Sequence, residues 1–225
     1  VFGVLTGVAI AAYTLWDTAA VRTMANFLWK DMPNSMLPRD YYGANADILR
    51  LSSKSHWDVP VVVGRTTVHV LAAHPTPPTF DGPEDRNGRR NHDEAAFWLT
   101  RLPPERFVLM GDTNLDPVDG DGRREGMAAL LARVQDPRPK SEGAAMAPRE
   151  GANAVQKGDP ALDTADWPDA DGPGNLRVDV VLPSPDLTVT GSGVLWPAPG
   201  QPLAPGQVYD SNCVGLAALL TEAGY

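Results

Sequence analysis

Three apolar runs in this 225-residue chain break off on, or contain, residues that a hydrocarbon core rejects. Val68-His69-Val70-Leu71-Ala72-Ala73 runs into His74 and the proline-rich Pro75-Thr76-Pro77-Pro78. Phe107-Val108-Leu109-Met110 ends in Gly111-Asp112-Thr113-Asn114, and Leu176 to Leu182 carries Asp179 among β-branched neighbours. Short β-branched and apolar runs bounded by turn formers predict strands. An unpaired carboxylate buried in such a strand would cost several kcal/mol, so Asp179 has to meet a cation, a histidine or strong donors. A purely structural pairing with Arg satisfies the same demand.

The rest of the chain favours short elements. Gly 21 and Pro 22 make about a fifth of the residues, which calls for many shaped loops and disfavours long helices. A hydrophobic fraction of 43% and a charged fraction of 21% exclude a disordered tail, a coiled coil or a multi-span membrane protein. The pattern predicts a strand over Gly7–Tyr13, a helix over Thr18–Trp29 and strands over Leu49–Ser53, Val59–Val63 and Thr66–Ala73, the last two forming a hairpin about Gly64-Arg65. Helices are expected over Asn91–Leu102, stopped by Pro103-Pro104, and over Glu125–Val134. Residues 136–174 read as a long surface loop, followed by strands over Leu176–Leu182 and Leu187–Thr190. Strands mixed with helices, each strand ending in a polar turn, predict an α/β layered sandwich in a single domain.

The net charge of −9 disfavours holding nucleic acid by bulk charge, yet leaves room for an enzyme whose metal supplies the cation at a phosphate. Cys213 is the single cysteine, which excludes an internal disulfide. Val1 to Trp16 is uncharged but too short to span a bilayer, so the protein is expected to be soluble, cytoplasmic or exported.

Asp112 and Asn114, two residues apart, are expected to emerge on one side of an extended segment, where they could hold a water or an oxyanion. A turn with Asn capping the next helix is the alternative. In their order along the chain, His74 after an apolar strand, Gly111-Asp112-Thr113-Asn114 followed by Leu115-Asp116-Pro117, and Arg177-Val178-Asp179 leading to Leu182-Pro183-Ser184 resemble the motifs of the endonuclease/exonuclease/phosphatase family. Gly7 to Ile10 is similar to the family's middle strand. The resemblance implies a deoxyribonuclease I-like sandwich of two mixed sheets flanked by helices, and a phosphoesterase using Mg2+ or Mn2+. It implies that Asp112 orients or deprotonates the attacking water or touches the metal, that Asn114 fixes that water, that His74 donates to a phosphate oxygen and that Asp179 orients a second histidine. The substrate would be a phosphate ester, nucleic acid included. Arg86, Arg89 and Arg90 form a basic cluster that could grip its phosphate, with solvated surface charge as the alternative.

Two departures from the family pattern shape the expectation. The family's first strands, which bring its main metal-binding Asn and Glu, have no counterpart ahead of Gly7, so the domain is expected to lack its beginning. Where the family closes on Ser-Asp-His, this chain reads Asp210-Ser211-Asn212, and Asp179 would lose its histidine. Little or no turnover is therefore expected of the chain by itself. Other readings are a calcium-binding module built on Asp116, Asp119 and Asp121, a zinc site drawn from His56, His69, His74 and His92, and a decayed enzyme that only binds.

Overall fold

A computed structural model describes residue 24 and residues 26–54 and 56–199. The expected Gly7–Tyr13 strand, most of the Thr18–Trp29 helix and the Asp210–Asn212 segment lie outside the described residues. The described part is an α/β fold built on a four-stranded sheet of order β1-β2-β3-β6. Its strands are β1 (His56–Val63), β2 (Thr66–Ala73), β3 (Phe107–Asp112) and β6 (Asp179–Pro183). The hairpin forms as the sequence predicts, with β1 and β2 antiparallel and Val63 opposite Thr66. Pro60 interrupts the donors of β1, which suits its place at the sheet edge. β3 runs parallel to β2, and β6 antiparallel to β3.

Leu71, Leu109 and Leu182 occupy one register row across β2, β3 and β6. Together with Phe107 and Val180 they pack against Trp98, Met127 and Leu130 of the helical layer, forming the main core. That layer holds α2 (Arg86–Phe97) and α3 (Glu125–Leu131), after a single-turn α1 (Arg39–Tyr42). A second apolar cluster gathers Trp29, Met32, Leu37, Leu51 and Phe97. Helix α2 starts five residues before the expected Asn91 and passes into a 3₁₀ turn at Trp98–Thr100, while α3 stops at Leu131, short of Val134.

Several expected elements are replaced by irregular backbone. Leu49–Ser53 contributes only an isolated bridge, Leu28 to Arg50, because Leu51 turns inward to the second cluster. Leu187–Thr190 forms no strand; the chain leaves the sheet at Ser184, whose Oγ accepts from the Phe107 amide at 3.1 Å. Residues 136–174 carry α4 (Glu142–Ala145), two 3₁₀ turns and β4 (Ala165–Asp166), which pairs with β5 (Asn175–Leu176) in a two-stranded sheet. The predicted Leu176–Leu182 strand is thus split at Arg177-Val178 between two sheets. Arg177 makes the corner rigid, its guanidinium bonding both oxygens of Asp136, at 2.9 and 2.5 Å.

Gly111 sets the fit of β3 against β2. Its φ of 140° lies where side chains are strained, and an added Cβ would stand 2.0 Å from the Ala73 carbonyl oxygen. Gly111→Ala is therefore expected to destabilise the fold by about 3 kcal/mol or more, read as a lowered urea midpoint. A loss below about 1 kcal/mol would contradict the assigned strand contact.

Candidate functional site

The parallel strands β2 and β3 both end, and the antiparallel β6 begins, at one end of the sheet. His74 follows β2 directly, Asp112 closes β3, and Asp179 opens β6 as the register partner of Asp112. Directly opposed residues of an antiparallel ladder send their side chains to the same face, so the two carboxylates share one side of the sheet end. His74 Nε2 lies 3.5 Å from Asp112 Oδ2, and both side chains are partly open to solvent. Burial holds the His74 imidazole below its ordinary pKa, with Lys54 pushing the same way and Asp112 and Glu94 opposing.

Asn114 corrects one expectation. It sits at a φ of 50°, so the segment after Asp112 turns instead of running extended. The Asn114 amide donates to Asp112 Oδ1 at 2.7 Å, an Asx-type turn, and its Nδ2 donates to the Pro75 carbonyl at 3.0 Å. The carboxamide thus ties the Asp112 turn to the loop that carries His74. Thr113 ties the same turn to the start of β6, its amide and hydroxyl both donating to the Val178 carbonyl, at 2.8 and 2.7 Å.

Asp179 is 6% exposed, and its backbone N–H donates to Thr164 Oγ1 at 2.9 Å. The same hydroxyl oxygen accepts from the Val178 N–H at 3.0 Å. The Arg pairing considered for Asp179 is not made by Arg177, whose guanidinium is committed to Asp136. Beside Thr164, Asp163 is 7% exposed; burial, reinforced by the charge of Asp116, raises its pKa from 3.8 to about 7.

The three arginines of α2 divide. Arg86 pairs with Glu84, donates to the Phe80 carbonyl at 3.2 Å and lies over the Tyr41 ring. Arg90 donates to the carbonyls of Leu51, at 3.0 Å, and Arg50, and covers Trp29. Both guanidiniums thus hold loops in place, and a phosphate would have to displace those bonds. Arg89 keeps a buried Nε with no hydrogen-bond partner among the described residues.

The calcium and zinc readings meet other obstacles. Asp116 accepts the amides of Val118, Asp119 and Arg177, and Asp119 those of Lys157 and Gly158. The carbonyls of Asp119 and Gly120 point to the Arg124 guanidinium, a cation already in the loop. The histidines are dispersed: His56 bonds Ser52 and the Glu94 carbonyl, His69 bonds Asp58, and His92 bonds Asp93. Among the described residues no group of three or more His, Cys, Asp or Glu side chains is placed to hold a metal ion.

The decisive observation on kinship is that the family model of the Endonuclease/Exonuclease/phosphatase family matches residues 13–201, spanning all of these strand ends. The chain belongs to that family. Among solved structures it is similar to sphingomyelinase C from Streptomyces griseocarneus, at 21% identity over 58% of this chain and 42% of that one, with a TM-score of 0.34. It is also similar to a β-hairpin deletion mutant of beta toxin from Staphylococcus aureus, at 13% identity over 57% of this chain and 42% of that one, with a TM-score of 0.32. The chain thus spans less than half the length of either structure. No curated protein matches it by sequence.

Sequence reasoning missed Asn91, Glu94 and Thr164, all at most 1% exposed and all bonded to backbone beside the site residues. For the first two a signal existed: Asn91-His92-Asp93-Glu94 is four polar residues in a row, which one exposed face of a helix cannot accommodate. Thr164 carried no such mark.

Thr164→Val leaves two buried N–H groups without an acceptor and is expected to cost about 2–4 kcal/mol, whereas Thr164→Ser should cost under about 1. Equal urea midpoints for the two variants would refute the assigned role. The folded state keeps a proton on Asp163 that the unfolded chain gives up, so the contribution of Asp163 to stability falls as pH rises from about 4 to about 7. Asp163→Asn should flatten that slope, measured as urea midpoints across the interval.

Proposed function

We propose that the protein hydrolyses phosphodiesters by attack of an activated water at the shared end of β2, β3 and β6, with Mg2+ or Mn2+ as cofactor. The supporting observation is the convergence of His74, Asp112, Asn114 and Asp179, which the chain separates by up to 105 residues.

Magnesium keeps several waters and takes one or two carboxylates plus substrate oxygens, so a partly open carboxylate is the donor it needs. Asp112 fits that description, with Asp179 opposite it, and would be the residue in contact with the cation. Once bound, such a cation polarises a phosphoryl oxygen and lowers the pKa of a coordinated water. The side chains do the remaining work. His74, partly exposed at the lip of β2, donates a ring N–H to a non-bridging oxygen as negative charge builds. Asn114 has its Nδ2 fixed on Pro75, which leaves Oδ1 to accept from the attacking water. Asp179, anchored through its backbone, orients a proton-bearing partner as a buried Asp does for its imidazole.

With Mg2+ present, the 225-residue chain is expected to release p-nitrophenolate from bis-p-nitrophenyl phosphate slowly but measurably. His74→Gln and Asp112→Asn should each lower the rate by about 100-fold, and chelation by EDTA should return it to background. A rate that both variants retain, or no rate in the unsubstituted protein, overturns this function; binding of a phosphodiester without turnover would then identify a non-catalytic relative.

A further inference from the structure

The backbone between His74 and Pro78 is poor in donors, because Pro75, Pro77 and Pro78 have no N–H, and Thr76 alone among the residues after His74 can donate. No strand takes up this segment. Instead, both backbone groups of Thr76 are bonded by side chains of α2. Its N–H donates to Glu94 Oε2 at 2.6 Å, and its carbonyl accepts from Asn91 Nδ2 at 2.8 Å. Positions three apart lie on one helix face, so Asn91 and Glu94 bond the backbone of this segment much as a neighbouring strand would. The same Nδ2 also donates to the Thr113 carbonyl at 2.9 Å. One amide therefore joins the loop after His74 to the turn between Asp112 and Asn114. The other oxygen of Glu94 accepts from the Ser53 amide at 2.7 Å and the Ser53 hydroxyl at 2.8 Å, anchoring the helix face to a third segment.

We infer that Asn91 and Glu94 are positioning residues for the phosphate-facing site, holding His74 at its distance from Asp112 and Asn114; the inference rests on the phosphodiesterase reading. Two features separate this role from ordinary packing. A fully buried carboxylate is a costly way to fill a helix–sheet interface, and apolar residues of similar volume commonly serve at least as well. Asn91 Oδ1 is buried with no hydrogen-bond partner among the described residues, so only its donors are used. The neighbouring Asp93, equally buried, offers the contrast: its carboxylate accepts from Trp29 Nε1 at 2.6 Å and the Met36 amide at 2.7 Å, touching no site segment.

The test compares Asn91→Leu, which keeps the volume and removes both donors, with Asp93→Asn as the control on the same helix. Two measurements are made on the full chain: amide hydrogen exchange at Thr76, and the separate kcat and KM for bis-p-nitrophenyl phosphate. Asn91→Leu should speed Thr76 exchange about tenfold or more and lower kcat about 10- to 100-fold, with KM within about threefold. Asp93→Asn should leave both near the unsubstituted values even where it lowers Tm. Glu94→Leu should likewise speed Thr76 exchange, because it removes the acceptor of that N–H, and an unaltered rate there overturns the part assigned to Glu94. Should Asn91→Leu fail to fold, the smaller Asn91→Ser is read against the same expectations. Unchanged kcat in Asn91→Leu, or an equal loss in Asp93→Asn, overturns the inference. If the unsubstituted protein turns nothing over, the proposed function fails by itself, and unaltered Thr76 exchange in Asn91→Leu would separately overturn the positioning role.

Discussion

The site depends on how closely two parallel strand ends can approach. Parallel β2 and β3 leave their last residues at the same level, and only a residue without a Cβ lets the backbone at Gly111 lie against the Ala73 carbonyl. The next residue along each chain segment is then a chemical one, His74 just past β2 and Asp112 at the end of β3, and the two side chains come within 3.5 Å. Antiparallel pairing with β6 adds Asp179 from the opposite chain direction. Hydrogen-bonded ladders fix two of the four, Asp112 and Asp179; His74 stands one residue past the end of β2, and Asn114 is locked by bonds to Asp112 and Pro75.

A chain with so much glycine and proline cannot satisfy its backbone by ladders and helices alone, and its carboxylates take over much of that task. Asp93 accepts the Met36 amide, Asp116 accepts three amides, Asp119 two, and Asp186 the amide of Arg106. Asp81 accepts the Asn87 amide in the first turn of α2. Hydrogen bonds of this charged kind are stronger than neutral ones, which compensates for the scarcity of regular structure. The acidic balance of −9 therefore reflects, in part, loop construction. It is correspondingly weak as a guide to what the protein binds.

The hairpin and β3 were legible because apolar runs ending in polar residues are local signals. What was illegible depends on distant partners. Leu49–Ser53 has strand-like composition, but Leu51 is drawn into a cluster with Trp29 and Phe97, which no local pattern announces. Residues 136–174 look like loop because their short elements are held by single side chains, such as Ser141 Oγ accepting from Ala144 and Asn153 Oδ1 from Asn175. Arg86 and Arg90 look like a basic patch until the helix they stand on is seen to face carbonyls and aromatic rings.

Arg177 shows how a motif residue can serve the site without reaching it. A guanidinium two residues before a buried carboxylate invites a pairing with Asp179, yet strand geometry makes another use possible. Arg177 stands at the corner between β5 and β6, where its amide is taken by Asp116 and its guanidinium by Asp136. Charge-assisted bonds from both backbone and side chain fix the corner in three dimensions. The next two N–H groups, of Val178 and Asp179, then converge on the single oxygen of Thr164. Asp179 is thereby placed opposite Asp112 by its own backbone.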